Sequence, residues 1–148
     1  MFGEYCQVRS TLDAKGRLGL PAKLRHAIGS EGIDVLVLNC VDGAIRAFTP
    51  GYFRDRVEGP FRERSPFDPE AQSYYYTVLA DAESCNIDGQ GRIRIPQRLQ
   101  ELAGLDRECV VVSIMDWVEI WNPEQWEEAR KRASFGFARG RGLQQRPE

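Results

Sequence analysis

Leu12-Asp13-Ala14-Lys15-Gly16-Arg17-Leu18-Gly19-Leu20-Pro21 and Ile87-Asp88-Gly89-Gln90-Gly91-Arg92-Ile93-Arg94-Ile95-Pro96 carry one pattern, 75 residues apart: apolar-Asp-x-x-Gly-Arg-apolar-x-apolar-Pro. Internal self-similarity of this kind shapes the whole architecture and has to be recognised before any fold is considered. The match continues downstream. Leu24, Ala27, Ile28 and Gly29 stand opposite Leu99, Leu102, Ala103 and Gly104, and Val35 to Leu38 opposite Val110 to Ser113. After a turn whose length differs by two residues, Ile45 to Pro50 answers Val118 to Pro123. One arginine is thus presented twice from equivalent turns, which suits a repeating or two-fold partner better than a single catalytic pocket.

Each copy reads locally as β-β-α-β-β-α. Val8, Ser10 and Leu12 alternate with Gln7, Arg9 and Thr11, as in a half-buried strand. Asp13 to Gly16 is a turn, because Asp bonds nearby backbone N–H groups and Gly tolerates positive φ. Pro21 and Pro96 suit a helix start, where a missing N–H costs nothing, and Gly29 and Gly104 suit its stop. The next helices begin at Thr49-Pro50 and Asn122-Pro123. A unit of about 45 residues buries too little apolar surface to be comfortably stable alone, so the copies are expected to share one core by interleaving strands. The chain divides into unit 1 (7–54), a connector with a helix (55–82), unit 2 (83–126), and a C-terminal helix with a mobile tail (127–148). Residues 58–68 read as the irregular part of the connector, and the last helix is expected to end near Ala133.

Composition narrows the function. At 148 residues, 42% hydrophobic and 28% charged, the chain suits one compact α+β body or two small intertwined ones. No apolar run approaches the roughly 20 residues of a membrane span, and the opening residues lack a secretion pattern, so a cytoplasmic protein is expected. Cys6, Cys40, Cys85 and Cys109 form no Cys-x-x-Cys pair, and His26 is the only histidine, so no metal, cofactor or catalytic constellation is expected. No enzyme activity or small-molecule substrate is anticipated.

The net charge is −2, yet seventeen of the twenty basic residues are arginine, whose planar fork suits phosphate and guanine edges. Arg9, Lys15, Arg17, Lys23 and Arg25 gather in sequence around the first turn; Arg92, Arg94 and Arg98 gather around the second. Two readings of the Asp/Arg pairs stand side by side. In one the Asp caps its turn and the Arg pairs with it internally; in the other the Asp orders the turn and the Arg faces a DNA groove. They are compatible, since an Asp can orient the Arg that binds. Lys15 becomes Gln90 and Gly19 becomes Arg94, so the two turns are not expected to meet a ligand identically.

Several stretches together resemble the MraZ family of bacteria: the opening Met1-Phe2 with Gly3-Glu4-Tyr5, Leu12 to Arg17, Pro21 to Arg25, Asp88 to Ile93, and Val118 to Trp121. The resemblance covers nearly the whole chain to about residue 133. It implies two tandem AbrB-like swapped-hairpin units sharing a pseudo-two-fold β core, assembled into a ring-shaped homo-oligomer. It further implies a nucleoid-associated transcriptional regulator that binds direct repeats in double-stranded promoter DNA of the division and cell-wall gene cluster. The DNA-binding residues it implies are Asp13, Lys15, Arg17, Asp88 and Arg92, to which the charge pattern adds Arg94. An oligomeric protein-interaction module, antitoxin-like or with a division or cell-wall partner, is the alternative.

Overall fold

The computed structural model describes residues 5–140, with side chains to residue 136. The opening Met1–Glu4, most of the tail and the Phe137 side chain therefore lie outside the described residues. The chain is a mixed α+β body built around an antiparallel six-stranded sheet in the order β1-β7-β8-β4-β3-β5, with a two-stranded sheet, β2-β6, against it. The strands are β1 (Cys6–Thr11), β2 (Arg17–Gly19), β3 (Val35–Val41), β4 (Ala44–Phe48), β5 (Glu83–Asn86), β6 (Arg92–Arg94), β7 (Glu108–Ile114) and β8 (Trp117–Trp121).

The two copies are interleaved. β1 of the first pairs with β7 of the second, and β5 of the second with β3 of the first. The registers obey a pseudo-two-fold axis. It passes between Leu18 and Ile93 in the small sheet and between Arg46 and Glu119 in the large one, each pair being both cross-strand partners and repeat equivalents. A residue repeated unchanged at such an axis would face its own like, and like charges directly opposite destabilise a sheet. Here the two copies have diverged to opposite charges, with Arg46 Nε 3.5 Å from Glu119 Oε2.

Alternation along the strands gives the large sheet two buried faces. Leu36, Leu38, Ile45, Ala47, Val111, Val118 and Ile120 point inward onto Leu18 and Ile93 and onto Leu24 and Leu99 of helices α1 (Ala22–Ser30) and α5 (Gln97–Leu102). The opposite face packs Phe48 against Phe53, Val57 and Val78. These come from a helical rod made of α2 (Pro50–Tyr52), a π-helical stretch (Phe53–Glu58) and α3 (Gly59–Arg62), and from α4 (Pro69–Tyr74) with its π-helical continuation (Tyr75–Leu79). The wide turn before Pro60 has a local cause: proline has no N–H, and its ring would collide with the carbonyl of residue 56 in an ordinary helix. Tyr74 stacks on Phe61 at 3.7 Å and Tyr75 Oη donates to the Phe61 carbonyl, so two of the three consecutive tyrosines pack between helices.

Four sequence expectations need correction. The two-residue length difference does not lie in the β3-β4 turn, because Asp42 and Met115 occupy the same left-handed position in equal two-residue turns. It lies at the first helix and its exit: α1 runs three residues longer than α5. The stop of α1 is accordingly Gly32 (φ +70°), the counterpart of Gly104 (φ +62°), and Gly29 is inside the helix. Ile33 N donates to Ile28 O as Leu105 N does to Gln100 O, the six-to-one bond of a Schellman cap. Helix also extends to Arg62, within the stretch read as an irregular connector. Finally, α6 (Pro123–Gly140) continues beyond residue 133. Asn122 caps its start, accepting from Glu124 N and Gln125 N, and Gly136, which costs about 1 kcal/mol in a helix interior, does not stop it.

Candidate nucleic-acid interface

The twin turns have the same internal geometry. Asp13 N donates to Arg17 O (2.9 Å) and Gly16 N to Asp13 O (3.0 Å); Asp88 N donates to Arg92 O (2.9 Å) and Gly91 N to Asp88 O (3.0 Å). Gly16 (φ +78°) and Gly91 (φ +75°) close three-residue loops in the left-handed conformation that a side chain disfavours.

The aspartate is the organising group. Asp13 Oδ1 accepts from Lys15 N (2.9 Å) and Arg17 N (2.8 Å), while Oδ2 accepts from Arg17 Nε (2.7 Å). Asp88 repeats the set with Gln90 N, Arg92 N and Arg92 Nε, at 2.8, 2.9 and 2.9 Å. Bonding to the ionised form favours it. The Arg17 backbone N–H, with further help from its guanidinium and from Lys15 N–H, holds the Asp13 carboxyl down to about 2. Asp88 is lowered in the same way, chiefly by the Arg92 backbone N–H. Each aspartate therefore stays charged near neutrality and pins its arginine by Nε.

That leaves the outer end of each guanidinium available. The Arg17 and Arg92 side chains are 31% and 30% exposed, and among the described residues their terminal nitrogens hydrogen-bond to nothing. The internal pairing of the first reading is present, and it leaves the outward geometry of the second intact. Lys15 and Arg94 are exposed and make no ion pair among the described residues, whereas Arg98 is bound to Asp81 at 2.7 Å.

Strand pairing regroups the charges in a way that sequence proximity does not. Arg94 stands directly opposite Arg17 in the β2-β6 pair, so it joins Lys15 and Arg17 on the first turn. Arg25, adjacent in sequence to the first turn, lies over the second: a Cβ added to Gly91 would collide with its Cδ. Its repeat counterpart Gln100 lies over Gly16 in the same manner. Arg25 is thus a cation of the Asp88-Arg92 turn, on the side where Lys15 has been replaced by Gln90. Only the strand exchange between copies reveals it; the spacing of 75 between Arg25 and Gln100 was the one available signal.

Burial pushes the Cys85 and Cys109 thiols up to about 11, unsuited to nucleophilic work. Among the described residues no three His, Cys, Asp or Glu gather as a metal site, and no helix is long and apolar enough to cross a membrane.

Fold and site together define a duplicated α+β protein that displays two acid-braced arginine turns related by a pseudo-two-fold axis. A family model described as "MraZ protein, putative antitoxin-like" matches residues 78–141. The chain is 35% identical over 129 residues to the transcriptional regulator MraZ of Corynebacterium kroppenstedtii, covering 87% of each chain. It is 34% identical to that of Ligilactobacillus salivarius, over 91% of this chain and 90% of the relative. It is 34% identical to that of Syntrophobacter fumaroxidans, over 78% and 77%. The chain belongs to the MraZ family. Its relatives are named as regulators, and the chain is not an enzyme.

Proposed function

We propose that this protein is a transcriptional regulator that binds double-stranded DNA through its two acid-braced turns. Lys15, Arg17 and Arg94 form one contact group, ordered by Asp13; Arg92, with Arg25 added, forms the other, ordered by Asp88. The observation that carries this reading is the pair of guanidiniums, each clamped by Nε and open at its outer end. A guanidinium fixed in this way loses little further freedom when its two terminal nitrogens grip a phosphate or a guanine edge. The names of the relatives support the same reading.

In the finer form of the proposal, residues 7–54 and 83–126 are tandem AbrB-like swapped-hairpin units. Several chains assemble as a ring, and neighbouring turn pairs meet direct repeats in the promoter of the division and cell-wall cluster. Repeated weak contacts would then add through effective concentration, which lets a chain of net charge −2 bind DNA tightly. Such a protein would be cytoplasmic and nucleoid-associated. The deciding experiment is a footprint on the DNA upstream of the protein's own gene. Protection repeating at about one helical turn, roughly 10 bp, supports the reading. An unprotected promoter at low salt refutes it. The family description as antitoxin-like favours a second reading, a protein-interaction module. It would be marked by a stoichiometric protein partner retained in high salt.

A further inference from the structure

On the face of the large sheet turned away from the β2-β6 pair, a cavity of about 260 Å³ opens between β3, β4, β8, the α2–α3 rod and α4. Asn39 lines it and is 1% exposed. Its Nδ2 donates to Val78 O (3.2 Å), but its Oδ1 accepts from no group among the described residues. Arg46 also lines the cavity. Its buried Nε is close enough to Glu119 for an ion pair but not aligned for a hydrogen bond. Glu119 meanwhile accepts from the indole N–H groups of Trp117 and Trp121, at 2.9 Å each. Arg56 adds a second cation at the rim, exposed and without an ion pair among the described residues. The walls are the rings of Phe48, Tyr52, Tyr74 and Trp117.

We propose that this cavity binds a small planar organic anion that carries one hydrogen-bond donor, an aromatic acid with a ring N–H being the simplest example. Each element of that description has a counterpart in the wall. The aromatic side chains accept a flat ring by stacking or edge contact. The Asn39 amide oxygen is an acceptor only and so requires an N–H or O–H. Arg46 and Arg56 suit a carboxylate. The volume lies just below the roughly 300–1,000 Å³ usual for ligand pockets, which suits a small ligand and excludes a dinucleotide or a long peptide. The second copy has no such site, because Val112 occupies the position equivalent to Asn39 and Arg130 that of Val57. The inference does not depend on DNA binding.

Calorimetry and saturation-transfer NMR on the full chain with indole-3-acetate test it. 3-Methylindole, which lacks the anion, and 1-naphthylacetate, which lacks the N–H, are the comparators. Saturable one-to-one binding is expected, weakened about tenfold by either omission. The surface change Arg56→Gln should weaken it severalfold, and Val57→Phe, which fills the cavity, should abolish it. Three results would each overturn the proposal: no saturable binding up to about 10 mM, equal affinity for all three compounds, or binding unchanged by Arg56→Gln. Arg56 is on the surface, so that variant is informative even if Val57→Phe disturbs folding.

Discussion

Replacing Arg17 by alanine tests the candidate interface most directly, because its consequence has two separable parts. The first is removal of the proposed DNA-binding group itself. An arginine gripping a phosphate or base edge contributes about 1–3 kcal/mol, so affinity for a promoter duplex should fall roughly 5- to 150-fold, and further in an oligomer that carries the change in every subunit. The second part comes from Asp13. Its carboxyl is held down to about 2 and remains ionised at neutral pH, so removing the guanidinium bonded at 2.7 Å exposes a bare negative charge to the DNA. At about 6 Å from a phosphate, in water-like surroundings, that repulsion is worth roughly 0.7 kcal/mol, about threefold in affinity. The double variant Asp13→Asn/Arg17→Ala should therefore bind about threefold better than Arg17→Ala alone. Fluorescence anisotropy at several salt concentrations reads both effects, and the slope of log affinity against log salt should fall by about 0.9 for each phosphate that is no longer neutralised. Arg17→Ala binding within about twofold of the parent, with an unchanged salt slope, would refute the assignment of this turn.

Further expectations rest on the same geometry. Arg25→Gln should weaken duplex binding and be non-additive with Arg92→Ala but additive with Arg17→Ala, since it shares a turn with Arg92; additivity with both would show that Arg25 acts elsewhere. The Asp13 carboxyl titrates in the folded state at about 2 against an ordinary 3.8, so its contribution to stability is complete above the higher value and is lost as pH falls through the lower. A carboxyl-carbon NMR titration with its midpoint near the ordinary value would contradict the hydrogen bonds that Asp13 accepts from Lys15 and Arg17. Leu18→Ala removes a fully buried side chain at the pseudo-two-fold axis and should cost about 2–5 kcal/mol in urea unfolding. A cost typical of a surface site would mean that the small sheet is not part of the shared core.

Much of the local structure was legible in the chain because it depends on short-range chemistry. The Asp-x-x-Gly-Arg turns, the proline-led helix starts and the Thr49 and Asn122 caps are each specified by residues within a few positions of one another. Gly29 misled for a related reason. A helix stop is set by which glycine can reach the left-handed conformation at the exit, and with Gly29 and Gly32 both near the end, sequence offset alone favoured the wrong one. The length of the final helix escaped in the opposite sense, since nothing at residue 133 terminates it.

The repeated pattern alone was sufficient to establish two copies of one unit and an Asp-ordered arginine in each, because covalent neighbours build those turns without help. Which cations stand together was beyond its reach. Arg25 joins the second turn and Arg94 the first because strands of the two copies cross, and that pairing rests on contacts between residues about 70 positions apart. The Asn39 cavity is of the same kind: it exists only where three sheet strands, the α2–α3 rod and α4 converge, and no local pattern announces such a meeting.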